Sequence, residues 1–219
     1  MHSYKAVLFD LDGTLLDTLE DIALAMNDVL KQFGYPIHPI DDYRYYVGNG
    51  IDVLVQRTLP AGKKDDSTIK QCAAKMRQVY GAGWSNNTHL YDGVSELLIG
   101  LQSFHLRMAI LSNKPDDFTQ KMVAHYLSRW KFDMVMGARE DLPKKPESDG
   151  ALFISEKLQL LPEQFLYIGD TNTDMITASR AGMYPVGATW GFRTREELLA
   201  NGAKTIVDHP CEVISLFFQ

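Results

Sequence analysis

From residue 93 onward the sequence alternates between two periods, and that alternation most constrains its fold. Short apolar runs at 106–113 (LRMAILSN), 132–138 (FDMVMGA), 164–170 (QFLYIGD), 184–189 (YPVGAT) and 204–208 (KTIVD) read as strands. Helical spacing fills the gaps at 93–104, 115–127, 148–160 and 172–182, in a short piece near 195–200, and in the closing CEVISLFF. KAVLFD at 5–10 joins the strand set: it is apolar without alternation, as strands covered on both faces are. Strands separated by helices predict an α/β fold with a Rossmann-like, doubly wound parallel sheet.

Residues 18–90 break that rhythm. Ile22, Met26, Val29, Leu30 and Phe33 recur at helical spacing, and Gly34 with Pro36 ends the helix they form. Helical segments continue over 39–81, interrupted by VGNG (47–50) and LPAGKKDD (59–66), with no strong strand pattern. The expected organisation is an α/β core of residues 1–15 and 85–219 with a helical domain, 16–84, inserted after the first strand.

With 219 residues and 45% hydrophobic content, a sizeable core is possible. A net charge of −6 without a Lys/Arg block argues against a nucleic-acid partner. No run approaches the roughly 18 apolar residues of a membrane helix. Cys72 and Cys211 form no C-x-x-C pair, so reduced thiols are expected rather than a disulfide framework or a zinc site. These features predict a soluble cytoplasmic protein.

In doubly wound sheets, ligands bind outside the carboxyl ends of the strands, where the strand order reverses. Three strand ends here are polar: FDLDGT (9–14), LSNKP (111–115) and IGDTNTD (168–174). Any one of them could be an ordinary solvated strand tip; three of them, plus a lysine pair at 144–145, would converge on one crevice. Asp10 and Asp12 are two apart in an extended segment, so both face the same way while Leu11 turns inward. Two such carboxylates repel unless a hard cation such as Mg²⁺ lies between them. Asp170 and Asp174 bring two more acids, although Asp174 also fits a first-turn residue offsetting its helix dipole. Ser112 and the backbone N–H of Asn113 can donate to phosphoryl oxygens, and one of Lys144 and Lys145 can supply positive charge.

DLDGTLLDT, LSNKP, KKP and GDTNTD resemble, in order and spacing, the four motifs of the haloacid-dehalogenase-like phosphohydrolases, and the helical insert resembles the family's C1 cap. The resemblance implies that Asp10 is the nucleophile, taking the phosphoryl group as an aspartyl phosphate. Asp12 would be the general acid, then the base for the attacking water. Mg²⁺ would be held by Asp10, the Asp12 backbone carbonyl and Asp170, with Asp174 orienting its waters. Ser112 and Asn113 would cradle the phosphoryl oxygens, and Lys145 would neutralise nucleophile and phosphate. An aspartate at position 12 separates phosphate-ester chemistry from the dehalogenases and phosphonoacetaldehyde hydrolases, which lack it.

YVGNGIDVLVQRTL (46–59), SNKP and VGATWGF (186–192) resemble phosphoglycolate phosphatases, which implies hydrolysis of 2-phosphoglycolate. Gly48 would let a loop approach the site, and Arg44 and Asn49 are candidates for reading a small carboxylate. The chain departs from that subfamily's K-P-x-P pattern: it reads KKPES, with Ser148 in place of the second proline, and Lys145 is favoured because it precedes Pro146. The alternatives are a pyrophosphatase, a sugar-phosphate or nucleotide phosphatase, a β-phosphoglucomutase-like mutase, or a binding protein on an inactive scaffold. The mutases carry Glu-Asp where this chain has Gly169-Asp170. Tyr43, Tyr45 and Tyr46 could serve a dimer interface or pack the insert, and both a monomer and a homodimer are compatible with the sequence.

Overall fold

The computed structural model describes residues 4–218. In chain order the elements are β1 (Ala6–Phe9), β2 (Leu16–Asp17), α1 (Leu19–Gln32), α2 (Tyr43–Tyr46), α3 (Ile51–Thr58) and α4 (Asp66–Gly83). Then follow β3 (His89–Leu90), α5 (Val94–Ser103), β4 (Arg107–Pro115), α6 (Asp116–Tyr126), β5 (Met134–Ala138) and α7 (Asp149–Leu158). The chain continues through β6 (Phe165–Gly169), α8 (Asn172–Ala181), β7 (Tyr184–Ala188), α9 (Arg195–Ala200), β8 (Thr205–Val207) and α10 (Glu212–Ser215). The described residues form two compact units, 4–16 with 90–218, and Asp17–His89.

The first unit is built on a six-stranded sheet in the order β5-β4-β1-β6-β7-β8, every pairing parallel. From β1 the chain winds outward through β4 to β5, then returns to β6 on the other side of β1 and winds out to β8. The reversal falls at β1, so the crevice beyond its carboxyl end is where a ligand is expected. All four β1 residues are buried, which is why the run is apolar on both faces. Ala6 and Leu8 join Leu111, Met136, Phe165 and Tyr167 of neighbouring strands and Ile154 of α7 in one packed layer. Val7 and Phe9 are equally buried on the opposite face.

Two expectations need correction. His89–Leu90 pairs with Leu16–Asp17 as a small separate sheet, although no strand was expected in that region. Two residues cannot display a period of two, so the pattern was invisible. The closing helix was expected over 211–218, but only Glu212–Ser215 is α-helical. Beyond it the N–H groups of Phe217 and Phe218 bond to Ile214 and Ser215, three residues back, and the turns tighten.

The second unit is helical. Tyr43 is fully buried there and its hydroxyl donates to Asn27 Oδ1 at 2.8 Å, so it packs this unit, whereas Tyr45 is exposed. Asp21 on α1 is a buried acid that ties down the segment after α4. Its carboxylate accepts from the backbone N–H and Nδ2 of Asn87 and from the N–H and hydroxyl of Thr88, at 2.7–3.1 Å. Asp21→Ala leaves these donors unsatisfied and is expected to cost about 3 kcal/mol, read by urea unfolding. A loss under 1 kcal/mol would mean that water replaces the carboxylate. Among the described residues, no helix is long and apolar enough to cross a membrane.

Candidate active site

The carboxyl ends of β1, β4 and β6, with the loop before α7, bring Asp10, Asp12, Ser112, Asn113, Lys145, Asp170 and Asp174 together in the first unit. Asp10 continues the β1–β6 ladder through its N–H to Ile168 O, 3.0 Å. Its Oδ1 accepts from the N–H of Leu11 at 2.7 Å and lies 2.9 Å from Lys145 Nζ. Gly13 follows at φ +88°, and a Cβ there would stand 2.2 Å from Asp170 Oδ2. Only glycine permits both the turn and the approach of Asp170.

Asp170 is fully buried. Thr14 Oγ1 donates to its Oδ1 at 2.7 Å and the N–H of Phe192 to its Oδ2 at 2.9 Å. Thr171 is the N-cap of α8 and Asp174 its third residue, forming a reciprocal capping box. Asp174 Oδ2 accepts from the N–H and hydroxyl of Thr171, and its Oδ1 from Lys145 Nζ at 2.7 Å and the Tyr167 hydroxyl at 3.4 Å. Asp174 is therefore both the helix-start acid and a member of the cluster; the two readings are one structure.

Of the lysine pair, Lys144 is exposed and Lys145 buried. Without the second proline, the loop is held by Asn113. Its Nδ2 donates to Lys145 O and its Oδ1 accepts from Lys145 N, both at 2.9 Å. The Asn113 side chain thus grips the lysine loop, and the phosphoryl role expected of this residue concerns its backbone N–H. Ser112 Oγ, buried at the same strand end, accepts from the N–H of Lys114 at 3.2 Å.

Lys114 is the residue that sequence reasoning passed over, although it stands inside LSNKP. Its Nζ lies 2.9 Å from both oxygens of Asp12, with side-chain exposures of 5% and 11%. The available signal was the strand period: Ser112 and Lys114 are two apart, so they face the same way. Thr14 was also missed as a partner of Asp170. Arg44, Gly48 and Asn49 belong to the second unit, where Asn49 Oδ1 accepts from Arg57 at 2.9 Å.

The electrostatics are those of crowded acids. Burial, then repulsion from Asp174, pushes the Asp170 carboxyl up to about 7, against the Phe192 and Thr14 hydrogen bonds. Burial and Asp174 also hold Asp10 well above the carboxylate range, with Lys145 opposing. Burial works against the charge on Lys145, but Asp10 and Asp174 overcome it, so the ammonium stays protonated. Among the described residues, Asp10, Asp170 and Asp174 offer oxygens all within 4.8 Å of one another. Buried hard oxygens carrying excess negative charge are the donor set a small divalent cation requires, so the residues fit a metal.

The family model of the haloacid dehalogenase-like hydrolases matches residues 7–188, from β1 to the end of β7. The chain belongs to that family. Relatives named phosphoglycolate phosphatase include one from Aliivibrio fischeri, 33% identical over 199 residues, covering 89% of this chain and 88% of the relative. Another, from Vibrio parahaemolyticus, is 31% identical over 218 residues, covering 97% and 95%. A haloacid dehalogenase-like hydrolase from Streptococcus pneumoniae superposes over the full length of both chains with a TM-score of 0.89 at 28% identity. As a haloacid dehalogenase-like hydrolase with such relatives, the protein is a phosphoric monoester hydrolase.

Proposed function

We propose that this hydrolase is an Mg²⁺-dependent phosphatase of 2-phosphoglycolate, working through a phosphoryl group carried on Asp10. The observation that supports it most is the buried Asp10–Lys145–Asp174 triad beside the separately paired Asp12. In that arrangement Asp10 would be the carboxylate that attacks, and Asp12, two residues on, the one that serves the leaving group.

In the proposed reaction a carboxylate oxygen of Asp10 bonds to phosphorus as the ester P–O bond breaks. Asp12 delivers a proton to the leaving oxygen, so the product departs as an alcohol. Water then attacks phosphorus and gives a proton to Asp12 as the P–O bond to Asp10 breaks, which returns Asp10 as a carboxylate and Asp12 as the acid that began the cycle. Lys145 balances the charge on Asp10 and on the phosphoryl oxygens throughout, and Ser112 with the Asn113 N–H orients those oxygens. Asp10, the Asp12 carbonyl and Asp170 would hold Mg²⁺, with Asp174 and Thr14 fixing the carboxylates around it. A cation held there would supply Lewis-acid charge to the phosphoryl group. The helical unit is assigned the role of the family's cap, with Arg44, Gly48 and Asn49 as its candidate substrate contacts.

A mutase reading is disfavoured by Gly169. A Cβ there would fall 2.3 Å from Asp174 Cβ, so the glutamate of the mutase pattern has no room while Asp174 holds its place.

Phosphate release tests the proposal, with Mg²⁺ and then excess chelator, across 2-phosphoglycolate, pyrophosphate, β-glucose 1-phosphate, sugar phosphates and nucleotides. Turnover is expected to be greatest on 2-phosphoglycolate and to vanish with chelator. Preference for another ester would keep the chemistry and reject the substrate.

A further inference from the structure

We propose that Lys114 reads the leaving group, recognising a carboxylate on the carbon bonded to the ester oxygen. This deepens the phosphatase reading above and rests on the roles given there to Asp10 and Asp12. The displacement runs along a line from Asp10, through phosphorus, to the oxygen that Asp12 protonates. On those roles the two buried lysines serve opposite ends of that line. Lys145 lies 2.9 Å from Asp10 Oδ1 and 2.7 Å from Asp174 Oδ1, on the nucleophile's side. Lys114 lies 2.9 Å from both oxygens of Asp12, on the leaving group's side.

An acid that protonates the ester oxygen must be within hydrogen-bond reach of it. Whatever is bonded next to that oxygen therefore lies beside Asp12, and so beside the Lys114 ammonium. In 2-phosphoglycolate the carboxylate is attached to the single carbon that follows the ester oxygen. Bond lengths then put its oxygens within about 4 Å of the ester oxygen. An ammonium is a point charge with three donors, and it can serve two carboxylates at once. Lys145 does so in this same site, between Asp10 and Asp174.

Lys114 is also well placed to be selective. It sits in the last part of β4, and its backbone is fixed on both sides. Its N–H donates to Ser112 Oγ, and its carbonyl accepts from Thr119 Oγ1 at 3.2 Å. A cation so anchored favours an anion at one distance from the ester oxygen and disfavours a leaving group that offers it none.

The test compares kcat/KM with Mg²⁺ for 2-phosphoglycolate and 2-hydroxyethyl phosphate, which differ only in carboxylate against CH₂OH, in the wild type, Lys114→Gln and Lys114→Arg. The preference for 2-phosphoglycolate is expected to shrink about 10- to 100-fold in Lys114→Gln, the range of a hydrogen bond to a charged group, mostly through KM. Lys114→Arg, which keeps the charge, is expected to recover part of it. Equal losses on both esters, leaving the preference unchanged, would mean that Lys114 only holds Asp12, and the proposal would fall. A measurement free of variants supports the same decision. Wild-type kcat/KM is expected to drop at least tenfold on 3-phosphooxypropanoate, whose carboxylate is one carbon farther out, and equal turnover overturns the proposal. Absence of phosphate release from every ester would instead sink the underlying phosphatase reading, and this proposal with it.

Discussion

Asp10→Asn is expected to lower phosphate release by about 10⁴-fold or more while the protein folds normally, because an amide cannot take a phosphoryl group in place of the carboxylate. The fold survives because both interactions of Asp10 use Oδ1, from the Leu11 N–H and from Lys145 Nζ. An asparagine oxygen can accept both. The metal-free variant should also be more stable than the wild type at pH 8. Burial and Asp174 raise the Asp10 pKa in the folded state. For an acid with a raised folded pKa, stability is greatest at low pH and is lost as pH climbs from the unfolded value toward the folded one. A neutral amide avoids that loss. In chelator at pH 8 the melting temperature should therefore rise, by about 2–4 °C for each kcal/mol relieved. At pH 4 the gain should fade. Residual turnover within tenfold of the wild type would remove Asp10 from the nucleophile's role.

Much of this site was legible because parallel α/β sheets turn sequence position into spatial position. Each polar tip follows a buried strand, and each such tip lands on one edge of the sheet, so FDLDGT, LSNKP and GDTNTD could be placed together before any coordinate was known. What was not legible came from contacts between tips. Lys114 follows two residues with assigned roles, but its partner Asp12 is 102 positions away, and no local pattern connects them. Thr14 and Asp170 are separated by 156 positions in the same way. The use of the Asn113 side chain as a clamp on the lysine loop is likewise a tertiary event.

The helical unit was harder to read for a related reason. Its helices showed their period, yet nothing local to Asp21 sets it apart from other first-turn acids. Only the structure reveals that it gathers four donors from Asn87 and Thr88. Tyr43 could be counted among surface aromatics because tyrosine suits either environment. Its hydroxyl partner Asn27, on another helix, decides that it packs the interior.

Lys145→Met is expected to destabilise the protein by about 3–5 kcal/mol, the cost of stranding buried carboxylates by removing their counter-charge. The Lys145 side chain is 2% exposed and its Nζ bridges Asp10 and Asp174 at 2.9 and 2.7 Å, so its loss leaves two adjacent acids facing each other. Asp10, whose carboxyl burial and Asp174 already hold high against Lys145, then binds its proton more tightly in the folded state. The deficit should be largest at pH 8 and shrink toward pH 5 as protons replace the ammonium. Urea unfolding at both pH values measures this. Added Mg²⁺ should recover part of the lost stability at pH 8, because a cation again stands among the carboxylates. Turnover should fall by a further factor on the order of 10²–10³, since the charge facing the phosphoryl oxygens is gone. Lys144→Met is the control: its side chain is exposed, and stability should move by less than about 0.5 kcal/mol. If the two variants behaved alike, the assignment of Lys145 to the cluster would be wrong. If only Lys145→Met fails, and fails most at high pH, a single ammonium is what lets this strand edge hold its acids together.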